Sequence, residues 1–121
     1  MNIDTYLAQS MPQEAILQTL YAPEDKLVIF DVGSCEGEDS VRYQRLFPKA
    51  RIFAFEPLSG NVQKMKQNFL TYQTPDVTII QKGLSEHSGK ATFFVSSGRP
   101  EHAADTKDWD YGNKSSSLLP P

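Results

Sequence analysis

A single cysteine, Cys35, excludes an internal disulfide, and two widely separated histidines, His87 and His102, do not make a zinc site. No metal is therefore expected. Basic residues are in slight deficit, 12 Lys and Arg against 15 Asp and Glu, which gives a formal charge of −3 and an isoelectric point near 5.3. Neither a basic cluster nor an aromatic stripe interleaved with Lys or Arg occurs, so a general nucleic-acid binder is disfavoured and a small-molecule ligand is expected. Long hydrophobic runs are missing too. Nothing approaches the roughly 20 apolar residues of a membrane span, and residues 1–10 lack the basic start and continuous apolar segment of a signal peptide. The chain reads as cytoplasmic and without a membrane partner. No internal repeat or block of like charge stands out. What is present is 121 residues with 39% hydrophobic content, enough for the core of one small domain.

The organising stretch is LVIFDVGSCEG, residues 27–37, completed by the acid at the end of IFAFEP, Glu56. Residues 27–30 form an apolar, partly β-branched run of the length of a buried parallel strand, and Asp31, Gly33 and Gly37 follow where a strand turns into a helix. Gly33 and Gly37 can take backbone angles closed to other residues and carry no Cβ, so a ligand can lie directly on the main chain. A second strand, residues 51–56, ends in a carboxylate 25 positions after Asp31, near the spacing at which an acid meets a ribose diol in doubly wound folds. Strand, glycine turn, helix, strand and acid together describe a nucleoside-binding βαβ unit.

The remaining pattern extends that unit. A first helix is expected after Ser10, with Pro12 in its tolerant first turn, Gln13 completing a capping box and Ile16, Leu17 and Leu20 on the face that covers the sheet. Residues 38–47 read as a helix with Tyr43, Leu46 and Phe47 on one side, stopped by Pro48. Ser59 caps a further helix whose stripe is Val62, Met65, Phe69 and Tyr72. Residues 77–81 form a third strand. The order β-α-β-α-β indicates parallel strands joined by right-handed crossovers, with the glycine loop and Glu56 at the carboxyl edge. Residues 90–95, KATFFV, follow too closely for a helical crossover, so an antiparallel hairpin is expected after the third strand. The domain division is residues 1–25 for the N-terminal helix and connection, 26–96 for the Rossmann-like half-domain and 97–121 for a loop-rich tail.

The ordered combination DVGSCEG, AFEP, Asn61, Asn68, GLSEHSGKATFFV and SSSLL resembles the N-terminal half of an FkbM-type S-adenosylmethionine-dependent methyltransferase. The resemblance covers roughly residues 26–119. It implies an α/β class, namely a partial Rossmann-like, class I methyltransferase sheet, mostly parallel, with S-adenosylmethionine as cofactor. It also implies transfer of a methyl group to an oxygen of a small-molecule or glycan-like acceptor. By this analogy Asp31, Gly33, Ser34, Cys35 and Gly37 line the methionine and ribose portion. Glu56, followed by Pro57, accepts hydrogen bonds from the ribose hydroxyls, and Gly83, Leu84 and Ser85 lie near the adenine. Two departures stand out: Ser34-Cys35 replaces the family's frequent Ala-Asn, and Glu38-Asp39 makes the helix start more acidic.

Charge supports the same cofactor. A dinucleotide places its pyrophosphate at the first helix N-terminus, where Glu36, Glu38 and Asp39 would repel it but tolerate a sulfonium. The interval from Gly33 to Gly37 also departs from the G-x-G-x-x-G dinucleotide form. No catalytic residue is assigned. A nucleophilic Cys35 would need a base partner that the sequence does not identify. His87 and His102 are read as surface loop residues, Trp109 and Tyr111 as aromatics that pin a loop, and Ser115, Ser116 and Ser117 as a loop serine run. The family continues past its serine cluster into further strands, so the chain is expected to be inactive alone. It is also expected to self-associate through an exposed first strand. The alternative is a non-catalytic nucleoside-binding or interaction module derived from the same fold.

Overall fold

A computed structural model describes residues 2–95 and 117–119, and its contacts divide the chain into two compact units. One unit is Leu7–Leu84; the other joins the first six residues to those from Ser85 onward. A short helix, α1 (Ile3–Ala8), precedes α2 (Pro12–Leu20), and the larger unit continues as β1 (Val28–Val32), α3 (Glu38–Leu46), β2 (Arg51–Phe55), α4 (Ser59–Thr71) and β3 (Val77–Ile80).

The expected parallel alternation is present. The sheet order is β1-β2-β3, with Phe30 opposite Phe53, Asp31 opposite Ala54, and Ala54 opposite Ile79. Residues that face each other across a parallel pair share a face, so strand periodicity sorts the sheet into two surfaces. Ile29, Ile52, Ala54, Val77 and Ile79 turn toward the helices, where they pack with Val41, Phe47, Met65 and Phe69. Each apolar side chain fully buried there contributes about 1.5–3 kcal/mol. Val28, Phe30 and Val32 point the other way and stay exposed, with Phe30 edge-on to both Phe53 and Phe55.

Local chemistry explains most element ends. Pro12 opens α2 and Pro48 follows α3, positions that tolerate or stop a helix. Buried Gln44 donates from Nε2 to the Ala50 carbonyl at 3.1 Å and so fixes the turn into β2. Helix α4 closes with Gln73 in the left-handed region, φ 52°, and Thr74 N–H donating to the Phe69 carbonyl, a Schellman-like end.

Four sequence expectations change. Met11, not Ser10, precedes α2, and it makes no side-chain cap. Leu58 rather than Ser59 occupies the cap position of α4. Of the α2 stripe only Leu17 joins the core; Ile16 and Leu20 are exposed. Residues 90–95 do not form a strand against β3. Phe94 instead makes an isolated antiparallel bridge with Ser117, its N–H donating at 2.8 Å and its carbonyl accepting at 3.0 Å. His87 is exposed as expected, whereas His102, Trp109, Tyr111, Ser115 and Ser116 lie outside the described residues.

Candidate functional site

The carboxyl edge of β1 and β2 gathers the glycine loop and two acids. Gly33 N–H and Ser34 N–H both donate to the Phe55 carbonyl, at 2.9 and 3.0 Å, so the last peptide of β2 anchors the start of the loop. Ser34 Oγ donates to the Asp31 carbonyl at 2.6 Å, and Gly37 N–H donates to the Ser34 carbonyl at 2.8 Å. The loop therefore folds back on itself before α3 begins.

The two glycines do different work. Gly33, at φ 74°, has nothing within 4 Å of where a Cβ would stand, and it faces open space. Gly37, at φ 82°, has that space filled: a Cβ would lie 2.6 Å from Phe69 Cε1 and 2.7 Å from Met65 Cγ. Its missing side chain admits α4 rather than a ligand, so Gly33 is the position where a molecule can approach the main chain.

Asp31 is half-buried at the end of β1, and its Oδ2 accepts from Ser40 Oγ at 2.6 Å. Burial raises its carboxyl above the ordinary aspartate value; the Ser40 hydrogen bond opposes that rise, and the charges of Asp39 and Glu38 add to it. Tyr43 is shifted up as well, by burial first and then by Asp39 and Asp31. The carboxyl side of the sheet is thus strongly acidic, with Glu36, Glu38, Asp39 and Glu56 around the same loop. Lys64 partly offsets this by pairing with Glu36 at 3.1 Å.

Glu56 is 5% exposed and sits between the loop and α4. Its Oε2 accepts from Cys35 N–H at 2.9 Å and its Oε1 from Leu58 N–H at 3.0 Å. Glu36, one residue further on, is clamped to α4: its carbonyl accepts from Asn68 Nδ2 at 2.8 Å, in addition to the Lys64 pair. Cys35 is buried and holds φ 52°, an uncommon angle for a residue with a Cβ.

The structure thus brings Asp31, Gly33, Ser34, Cys35, Gly37 and Glu56 to one edge. Gly83 lies against Pro57, with a Cβ there 3.9 Å from the proline Cβ, while Leu84 is exposed. Ser85 belongs to the second unit, where it is exposed. Sequence reasoning missed Ser40, whose place three residues after Gly37 sets it one turn into α3 beside Asp31, and Lys64, which pairs with Glu36. Arg42 was missed too. It is buried, ion-paired with Glu14, and donates to the Gln9 carbonyl at 2.7 Å, tying residues 9–14 to α3.

A cleft of about 580 Å³ lies elsewhere, between α4 and the start of β3, lined by Leu70, Pro75, Val77 and Ile79 among others and by none of the expected cofactor residues. Among the described residues no cluster of His, Cys, Asp and Glu is arranged to hold a metal ion, and no helix is long and apolar enough to cross a membrane.

No family model matches the chain. Over 83 residues, 69% of its length, it is 30% identical to the 2-O-methyltransferase NoeI of Sinorhizobium fredii (strain NBRC 101917 / NGR234), and it spans only 32% of that relative. Among solved structures it resembles a candidate caffeoyl-CoA O-methyltransferase from Staphylococcus aureus, with a TM-score of 0.50 and 20% identity across 60% of this chain and 35% of that one. A precorrin-6Y C5,15-methyltransferase from Geobacter metallireducens GS-15 matches at a TM-score of 0.49 and 25% identity, over 57% of this chain and 37% of that one. The chain thus shows sequence similarity to a methyltransferase and adopts, as three parallel strands with their helices, part of the α/β, Rossmann-like fold of such enzymes.

Proposed function

We propose that this chain is the cofactor-binding part of an S-adenosylmethionine-dependent methyltransferase of the FkbM type, acting in the cytoplasm on a hydroxyl of a small-molecule or glycan-like acceptor. The observation that carries the reading is the meeting of Asp31, an open Gly33 and Glu56 at one sheet edge. Similarity to a 2-O-methyltransferase supports oxygen as the acceptor atom.

The residues present suit this cofactor. Gly33 leaves its main chain uncovered, Asp31 offers an acceptor for an ammonium group, and the surrounding carboxylates favour a ligand that carries a sulfonium. A pyrophosphate would meet Glu38 and Asp39 in the first turn of α3, where negative side chains already complement the helix dipole. Bound there, S-adenosylmethionine supplies an electrophilic methyl group. The chain's own contribution is alignment: Ser40 orients Asp31, Lys64 and Asn68 fix the loop, and α4 backs it through Phe69. Pro57 borders the ribose side beside Glu56, and Gly83, packed on Pro57, begins the adenine side with Leu84.

The chain alone is inactive in this reading and associates with itself through β1, whose outer edge and apolar face are open among the described residues. Titrating S-adenosylhomocysteine while recording amide NMR shifts tests the site. Shifts centred on residues 31–37 and 56–58 are expected, and shifts confined to the α4–β3 cleft would overturn the assignment.

A further inference from the structure

The acid expected to meet a ribose already has both oxygens in use. Cys35 N–H occupies Oε2 of Glu56 and Leu58 N–H occupies Oε1, and the side chain is almost wholly out of solvent. Cys35 is also the loop residue that most needs holding. It is a non-glycine at φ 52°, where a Cβ is strained, while the residues beside it are tied elsewhere: Ser34 to Phe55, Glu36 to Lys64 and Asn68. A charged acceptor on the N–H of a strained residue is among the stronger ties available to a loop.

We propose that Glu56 is a positioning residue, a latch that holds the glycine loop in its binding shape through Cys35 N–H, so that ligand affinity depends on it even where the ligand offers no ribose hydroxyl. The inference rests on the nucleoside-site reading for its ligand half only; the latch itself concerns the free protein.

Cys35 is the chain's single thiol and is buried, so its rate of reaction with a maleimide reports loop opening directly. In the 121-residue chain, Glu56→Ala should raise that rate about tenfold or more, the factor that loss of a charge-assisted hydrogen bond produces, while amide exchange at Ile52 and Ala54 in β2 stays unchanged. An unchanged labelling rate in a folded variant overturns the latch. If Glu56→Ala does not fold, Cys35→Gly in the same chain should restore folding, because glycine holds the left-handed angle without help; failure of that rescue also overturns it. Calorimetry then separates the roles. With the latch, Glu56→Ala weakens S-adenosylhomocysteine and its 2′,3′-dideoxyribose analogue by the same factor. A loss confined to the ligand with both hydroxyls overturns the positioning role in binding. Absence of binding by the parent chain would defeat the nucleoside reading and leave the thiol measurement to decide the latch.

Discussion

The two faces of one three-stranded sheet differ more than their sequences do. On the helix side Ile52 and Ala54 are fully covered; on the other Val28, Phe30 and Val32 are 62%, 65% and 58% exposed, though they are at least as apolar. Topology makes the difference. Three parallel strands in the order β1-β2-β3, joined by crossovers of one hand, put α3 and α4 on the same side, and α2 joins them there through Leu17. Apolar residues on both sides of a strand indicate burial on both sides. The pattern of β1 therefore encodes a cover that the described residues do not supply.

The comparison can be tested by changing one face at a time. The largest effect is expected from Phe47→Ala on the covered side. Phe47 is 1% exposed against Ala50 and Ile52, and its removal should cost about 3–5 kcal/mol in urea unfolding. Phe30→Ser on the open side should cost no more than about 1 kcal/mol, since only its edge contacts with Phe53 and Phe55 are lost, and it should reduce self-association in light scattering. A loss equal to that of Phe47→Ala would mean that this face is buried in solution. Asp31→Asn should act least and with opposite sign. Burial raises the Asp31 carboxyl above its ordinary 3.8, so the folded state holds the proton more tightly than the unfolded one. That contribution is complete below the unfolded value and is lost as pH rises through the raised folded value. At neutral pH the charged side chain therefore opposes folding, and asparagine, which can still accept from Ser40, should raise the melting temperature there. The advantage should shrink as pH falls toward 4, and a constant difference at all pH values would exclude this origin.

Much of the sheet and of the loop's position was readable from the sequence because both arise from local signals. Apolar runs of strand length, helical stripes such as Val62, Met65 and Phe69, and glycines after a strand each act within a few residues, and the parallel order follows from their alternation. What could not be read are the contacts made across the chain. Nothing near Glu56 indicates that its two oxygens meet the main chain at Cys35 and Leu58, or that Asn68 reaches the Glu36 carbonyl 32 residues away. The hairpin was misjudged for a related reason: KATFFV has strand composition, but an edge strand pairs only where its partner offers a matching surface, and Phe94 finds Ser117 instead.

β1 is both the sheet's outer strand and the strand from which Asp31 and the glycine loop depart. In the proposed reading, a segment that hydrogen-bonds along Val28–Val32 restrains the residues that lead into the ligand position at Gly33. Where pairing at that edge favours the loop shape that a ligand needs, the coupling free energy is equal in both directions. If the neighbour is a second copy, apparent ligand affinity rises with protein concentration, and saturating ligand lowers the concentration at which copies pair.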